Sequence, residues 1–212
     1  MATILFDLDG TLVDSVADLA AAANVVRGEF GLDTLDEQVV ASHVGDGARK
    51  LVERAFADLD DLDVMAVLKR FRAIYLEHCT ERTTVYPGVL ETLARLAPRP
   101  MAIVSNKPQT MCEKIAEYYG LDRYLSAVVG QRPKVPVKPA PDLLRIALED
   151  LGSPDGPVWM VGDSHNDVLS GRAIGAGTVG VTWGIGDLER LRAARPDHVV
   201  DSAGELVRIV GA

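Results

Sequence analysis

The sequence predicts an α/β protein with a doubly wound, mostly parallel sheet and an all-helical segment inserted after the first strand. The chain opens with the apolar run Ile4 to Phe6, which is too short for an amphipathic helix and typical of a strand buried on both faces. Residues 16–81 then show helical periodicity and no strand pattern. From residue 101 onward strand and helix patterns alternate, as expected of a parallel sheet with right-handed crossovers.

The size and charge of the chain limit what it can be. With 212 residues, 48% of them hydrophobic, it can form one large domain or one domain with a smaller insertion. A net charge of −9 argues against non-specific binding to nucleic acid. We therefore expect a protein that binds no nucleic acid; the sequence leaves open whether it is a monomer or a homodimer.

The sequence gives no indication of a membrane or secreted protein. No apolar run approaches the ~20 residues that span a bilayer, and Asp7 interrupts the N-terminal apolar run. Cys79 and Cys112 lack the spacing of a metal site, and each falls within a predicted helix. We expect a cytoplasmic protein that binds no membrane and carries two buried free thiols.

The inserted segment contains the first group of predicted helices. Its first helix follows Asp14 and Ser15, a favourable N-cap pair. The predicted helices cover residues 16–30, 35–42, 48–56 and 64–79. We assign residues 16–81 to a separate helical domain, and residues 1–15 and 82–212 to the α/β core.

Strands and helices alternate in the rest of the core. The predicted strands cover residues 101–104, 127–129, 158–161, 178–181 and 198–200. The predicted helices cover residues 108–120 and 139–151 and a segment through 168–174. Because most of these strands are separated by a helix, we expect them to lie parallel in one sheet.

Polar side chains directly follow three of the predicted strands. Asp7 and Asp9 follow the first strand, Ser105 and Asn106 follow the second, and Asp163 follows a later one. Since open α/β sheets bind ligands at the carboxyl ends of their strands, we expect these side chains to converge. Asp7 and Asp9 lie so close together that their carboxylates repel each other. A divalent cation or a shared proton would offset this repulsion. Alone, each pattern has a plainer interpretation as a turn or a loop cap.

Two more residues extend this constellation. Lys138 precedes Pro139-Ala140-Pro141, a rigid helix entry that would hold its ammonium in place. Asp167 lies four residues after Asp163, so a helix would present both acids on one face. Carboxylates with one hydroxyl and one fixed cation suit a hard divalent cation and a phosphate group. Zinc suits them poorly, because His165 is the one His or Cys at ligand spacing.

These motifs resemble, in content and order, the four motifs of the haloacid dehalogenase superfamily of phosphatases. The matching segments are Asp7-x-Asp9-Gly10-Thr11, Ser105-Asn106, Lys138-Pro139 and Gly162-Asp163-x-x-x-Asp167. The resemblance spans the whole chain, and the inserted helices resemble the superfamily's small helical cap. Finer details are similar to the phosphoglycolate phosphatase family, namely Asp14-Ser15, Val44-Gly45-Asp46-Gly47 and Tyr86-Pro87-Gly88-Val89.

The resemblance implies a mechanism. Asp7 would be the nucleophile that forms an aspartyl-phosphate, and Asp9 would protonate the leaving oxygen and then deprotonate the attacking water. Mg²⁺ is the implied cofactor, bound by the Asp7 carboxylate, the Asp9 main-chain carbonyl and the Asp163 carboxylate. Asp167 would be a further ligand or a partner of one. The presence of Asp9 favours a phosphatase over a dehalogenase.

The resemblance also implies how a small phosphorylated substrate is held. The phosphoryl group would contact Gly10, Thr11, Ser105, Asn106 and Lys138. Arg49, just beyond the Gly45-Asp46-Gly47 turn, is a candidate to bind a substrate carboxylate, unless Asp46 engages it instead.

The preferred substrate is 2-phosphoglycolate, on the strength of the finer resemblance. The alternatives are hydrolysis of another small phosphorylated metabolite, a nucleotide or pyrophosphate, and phosphomutase action. From a different class, a non-catalytic phosphate-binding regulator remains a further alternative.

Overall fold

We describe the fold from a computed structural model, which gives the structure of residues 1–59, 61 and 63–210. The strands are β1 (Thr3–Phe6), β2 (Val13–Asp14), β3 (Thr84–Val85), β4 (Met101–Pro108), β5 (Ala127–Gln131), β6 (Val158–Gly162), β7 (Gly177–Val181) and β8 (His198–Val200). The helices are α1 (Val16–Glu29), α2 (Glu37–Ala41), α3 (Ala48–Ala55), α4 (Val64–His78), α5 (Val89–Leu96), α6 (Gln109–Tyr118), α7 (Asp142–Asp150), α8 (His165–Ala173), α9 (Leu188–Ala193) and α10 (Ala203–Val210).

Six of these strands form one parallel sheet in the order β5-β4-β1-β6-β7-β8. Ile4 of β1 is level with Met101 of β4 on one side and with Trp159 of β6 on the other. The strand order runs outward from β1 to one edge and from β6 to the other. The switch point, where open α/β sheets bind ligands, therefore lies beside β1. This confirms the predicted α/β fold.

Apolar side chains cover both faces of the sheet. Ile4 and Phe6 of β1 join one buried cluster with residues of α5, α6 and α10. Leu5, which points to the opposite face, joins a second cluster with Leu143 and Leu144 of α7. A strand that is buried on both faces reads as a continuous apolar run, and this explains the pattern at the start of the chain.

Helices α1 to α4 occupy the stretch between β2 and β3, as the periodicity predicts. The chain leaves and re-enters the core through β2 and β3, which pair antiparallel with Val13 opposite Val85. Phe56, Phe71 and Tyr75 of the insertion are buried in the same cluster as Ile4 and Phe6. The division into two domains at residues 16–81 stays a prediction.

A buried carboxylate ties the start of the insertion to its end. Asp18 of α1 accepts hydrogen bonds from the backbone amides of Arg82 (2.9 Å) and Thr83 (2.9 Å) and from the Thr83 hydroxyl (2.8 Å). Among the described residues no strand pairs with the segment just before β3, so Asp18 accepts the hydrogen bonds of these amides instead. This contact fixes the point at which the chain returns to the core.

Some boundaries differ from those predicted from the sequence. Strand β4 continues to Pro108 rather than ending at Val104, because it pairs with β5 again after a shift in register. Helix α7 begins at Asp142 rather than at Pro139, since a residue that precedes proline, here Ala140, disfavours the helical conformation. Helices α5 and α10 and the β2–β3 pair were not predicted from the sequence; β2 and β3 have two residues each, which is too short for a periodic signal.

The cysteines are as predicted, since Cys79 and Cys112 are both buried and free. Cys112 lies within α6, whereas Cys79 caps the end of α4 rather than lying inside it. Among the described residues, no helix has the length and apolar character needed to cross a membrane.

Asp18→Ala should lower the free energy of unfolding by about 2–4 kcal/mol, because it leaves buried amide donors without a charged acceptor. Chemical denaturation of the two proteins measures this difference. Asp36→Ala is the matched control, since Asp36 is exposed and its side chain makes no capping hydrogen bond to α2. Equal stabilities of the Asp18 and Asp36 variants would show that the hydrogen bonds of Asp18 do not stabilise this junction.

Candidate active site

Three acidic side chains meet at the carboxyl ends of β1 and β6. One carboxylate oxygen of each of Asp7, Asp163 and Asp167 lies within 4.8 Å of the others, and all three residues are buried. Asp7 directly follows β1, Asp163 directly follows β6, and Asp167 lies in the first turn of α8. The parallel sheet thus brings together acids that are far apart in sequence.

Burial makes this cluster electrostatically unfavourable by itself. Burial raises the pKa of Asp7 to about 6, against the opposing effect of the Lys138 ammonium. Burial, together with Asp167 and Asp7, raises the pKa of Asp163 to about 8. The site therefore holds more negative charge than its one neighbouring ammonium can balance, so a further cation would be stabilised there.

Lys138 is the buried cation of the cluster. Its Nζ donates to Asp167 Oδ1 at 2.6 Å and to the Val104 carbonyl at 2.7 Å, and it lies 3.0 Å from Asp7 Oδ1. All three ammonium protons are thereby engaged. Lys138 consequently acts on the site chiefly by neutralising and orienting Asp7 and Asp167.

The two oxygens of Asp167 are both used by protein groups. Oδ1 pairs with Lys138, and Oδ2 accepts from the Ser164 amide (3.0 Å) and hydroxyl (2.6 Å) in a capping box at the start of α8. By contrast, Asp7 Oδ2 and Asp163 Oδ1 accept no hydrogen bond from any described residue. The oxygens best placed to bind a ligand are therefore those of Asp7 and Asp163.

Glycines allow the backbone to close around Asp163. A Cβ on Gly10, whose φ is +81°, would lie 1.9 Å from Asp163 Oδ2, and one on Gly184 would lie 2.4 Å from the same atom. Asp163 Oδ2 accepts from the amides of Ile185 (2.9 Å) and Gly186 (2.8 Å). The Gly10 amide donates to the Val13 carbonyl and is therefore already engaged. The contribution of Gly10 to the site is that it has no side chain to clash with Asp163.

Thr11 lies apart from the acidic cluster. Its side chain lines a small apolar cavity with Trp183, and its carbonyl accepts from Trp183 Nε1 at 3.1 Å. The buried Thr11 hydroxyl has no hydrogen-bond partner among the described residues. The substrate-binding role predicted for Thr11 stays a prediction.

Ser105 and Asn106 lie in β4 beside the cluster. The Asn106 side chain donates to the carbonyls of Gly45 and Lys138, both at 2.9 Å, and accepts from the Lys138 amide at 2.7 Å. Asn106 thus connects the core to the insertion and fixes the backbone of Lys138. The Ser105 hydroxyl accepts a long hydrogen bond from the Lys107 amide at 3.4 Å and keeps its proton available to a ligand.

A cavity of about 40 Å³ lies beside Asp7 and Asp9, between the sheet and the inserted helices. The core lines it with polar residues: Asp7, Asp9, Ser105, Asn106 and Lys107. The insertion lines it with mostly apolar residues: Leu19, Val44, Gly45, Gly47, Ala48, Leu51, Phe71 and Tyr75. A space of this size admits a few water molecules or a small substrate group.

Sequence reasoning missed Lys107 and Tyr75. Lys107 Nζ donates to Asp9 Oδ1 at 2.7 Å and to the Tyr75 hydroxyl at 2.6 Å, and Asp9 Oδ1 also accepts from the Ser15 hydroxyl at 2.5 Å. Burial disfavours the charged lysine, but Asp9 and Tyr75 raise its pKa above the ordinary value. Lys107 lies three residues beyond the predicted end of its strand at residue 104, so the sequence pattern carried no signal for it.

Arg49 is not brought to the cavity. Its side chain is 66% exposed and pairs with Glu53 at 2.9 Å. Asp46 does not engage Arg49. It binds Arg54 at 2.5 Å and accepts from Asn166 of α8 at 2.9 Å. The carboxylate-binding role of Arg49 stays a prediction that these contacts do not favour.

Comparison with known proteins agrees with this geometry. A phosphoglycolate phosphatase of Chromobacterium violaceum is 39% identical over 210 residues, which span 96% of this chain and 93% of the relative. One of Neisseria meningitidis is 38% identical over 213 residues, spanning 96% and 91%. A solved structure described as a predicted phosphoglycolate phosphatase, from Haemophilus somnus, superposes with a TM-score of 0.89 at 29% identity, covering 98% of this chain and 96% of that one.

The match to a family model covers the acids and most of the sheet. The model describes haloacid dehalogenase-like hydrolases and matches residues 4–181, which include Asp7, Asp9, Lys138, Asp163 and Asp167. The chain therefore belongs to the haloacid dehalogenase-like hydrolase family.

Proposed function

We propose that this hydrolase is a Mg²⁺-dependent phosphatase that acts through an aspartyl-phosphate, with 2-phosphoglycolate as its substrate. The observation that carries the proposal is the Asp7 carboxylate, which keeps one oxygen free at the cavity while Lys138 neutralises the other. The relatives named phosphoglycolate phosphatase, at 33–39% identity over most of the chain, support the substrate.

The donor set fits Mg²⁺. The Asp7 and Asp163 carboxylates would be hard ligands, the main-chain carbonyl of Asp9 would be a third, and burial of the acids leaves negative charge to be balanced. When bound, the ion would lower the repulsion between the Asp7 carboxylate and the phosphoryl oxygens. Asp167 would not bind the ion itself; it would hold Lys138 and the start of α8 in place.

Asp7 and Asp9 divide the chemistry between them. The free oxygen of Asp7, Oδ2, attacks phosphorus, the bond from phosphorus to the leaving oxygen breaks, and Asp9 gives that oxygen a proton. The Asp9 carboxylate then takes a proton from water, which attacks the aspartyl-phosphate and releases phosphate. Lys107 and Ser15 hold Asp9 Oδ1 in place for both transfers.

The remaining residues hold the phosphoryl group and exclude water. The Ser105 hydroxyl is a donor in β4 beside the cavity, where the developing charge needs fixed partners, and Asn106 holds the neighbouring backbone of Gly45 and Lys138 in place. The apolar surface of the insertion closes the cavity and keeps bulk water out.

Asp7→Asn should abolish release of phosphate from 2-phosphoglycolate, whereas Asp9→Asn should lower it by about 10²–10⁴-fold, because it keeps the nucleophile but loses proton transfer. Steady-state assays in Mg²⁺ measure both rates, and circular dichroism checks folding. Substantial turnover by Asp7→Asn would sink the nucleophile assignment. If the unaltered protein releases phosphate from no phosphomonoester, the alternative of a non-catalytic phosphate-binding regulator would be favoured.

Mg²⁺ should raise the melting temperature of the unaltered protein, since a ligand at 100 times its Kd adds about 2.7 kcal/mol to the stability of the folded state. Asp163→Asn should remove most of this shift, because it replaces one of the anionic ligands. Differential scanning fluorimetry with and without Mg²⁺ provides the measurement. Asp122→Asn, at an exposed position, should keep the full shift. An unchanged shift in Asp163→Asn would place the ion elsewhere.

A further inference from the structure

We propose that Lys107 and Tyr75 together bind a carboxylate on the leaving group of the substrate, next to the oxygen that Asp9 protonates. The inference rests on the proposed function and assigns its specificity to two residues of the catalytic cavity. Among the described residues that line this cavity, Lys107 carries the single cationic side chain, and it is 6% exposed.

Each of these two side chains has one hydrogen-bond donor that no described residue uses. The Lys107 ammonium has three protons, and the described residues supply two acceptors, Asp9 Oδ1 and the Tyr75 hydroxyl oxygen. That hydroxyl accepts from Lys107, and its own proton has no acceptor among the described residues. One N–H and one O–H therefore remain for a ligand, which matches the two oxygens of a carboxylate.

Tyr75 remains a donor at physiological pH. It is fully buried, and burial raises the pKa of its hydroxyl well above the ordinary value. Its ring stacks on Phe71, also of α4, with centroids 5.8 Å apart, so packing fixes its direction. Lys107 Nζ is 4.6 Å from the centre of the same ring, which adds a cation–π contact to the hydrogen bond.

The chemistry of the substrate places a carboxylate at this point. In 2-phosphoglycolate one methylene separates the leaving oxygen from the carboxylate carbon, so the carboxylate oxygens lie within about 4 Å of the leaving oxygen. Asp9 must reach the leaving oxygen to protonate it, and the substrate carboxylate then lies beside Asp9. Once Asp9 has given up its proton, two anions lie close together and need a cation between them, and Lys107 already contacts Asp9 at 2.7 Å.

Other surroundings of the cavity offer the carboxylate little. The side chains of Leu19, Val44, Leu51, Phe71 and Met111 form an apolar wall, in which an unpaired carboxylate would be strongly disfavoured. Arg49, the rival for this role, is exposed and paired with Glu53. The enzyme should therefore discriminate between substrates by the charge of the leaving group, through Lys107.

The test compares kcat/KM for 2-phosphoglycolate and for ethyl phosphate, which has a methyl group in place of the carboxylate. Lys107→Met should slow both substrates, because Asp9 loses a partner, but it should lower the preference for 2-phosphoglycolate by about 10-fold or more. Tyr75→Phe keeps the ring and removes the hydroxyl, and it should lower the preference by about 3- to 10-fold. Lys69→Met, at an exposed position of α4, should keep the preference.

The outcomes separate this inference from the proposed function. Equal losses on both substrates in Lys107→Met and Tyr75→Phe would show that the pair only positions Asp9, and would overturn the inference while the phosphatase stands. Loss of the preference in Arg49→Met but not in Lys107→Met would also overturn it. If the unaltered protein hydrolyses neither substrate, both proposals fail. If Lys107→Met does not fold, the ratio for Tyr75→Phe decides.

Discussion

The ion pairs of Lys138 with Asp7 and Asp167 are the interaction on which the rest of the site depends. Buried carboxylates of this kind carry a large desolvation cost that only well-placed partners offset. Lys138 can serve as that partner because its Nζ is fixed by the Val104 carbonyl and its backbone is fixed by Asn106. The geometry at the end of β1 is thus set by charge, above a core that is set by apolar packing.

Polar contacts also join the insertion to the core around this charge. The Gly45 carbonyl binds Asn106, Asp46 binds Asn166, and Tyr75 binds Lys107. Each core partner lies within a few residues of a catalytic candidate or contacts one directly. These contacts connect the residues that would select the substrate to those that would carry out the reaction. Movement of the inserted helices would therefore change the position of Lys107 and, through it, of Asp9.

The sequence was sufficient to predict the fold and the convergence of the acids, because both follow from local patterns. The buried strand and the acids Asp7 and Asp9 that follow it can be recognised without knowing any distant contact. A parallel sheet then brings the carboxyl ends of its strands to one edge. The role of Lys107 was not predictable in this way. Its contacts reach back to Asp9 and across to Tyr75, which lie far away in sequence, and Tyr75 is indistinguishable by periodicity from the core residues of α4.

The antiparallel pairing of β2 with β3 bears on how such enzymes diversify. Because Val13 lies opposite Val85, the insertion leaves and re-enters the core at one point. A loop with its ends held together can grow at little entropic cost, since each doubling of its length adds only about 0.6 kcal/mol. Evolution can therefore lengthen or shorten the loops between the inserted helices while the register of the main sheet is kept.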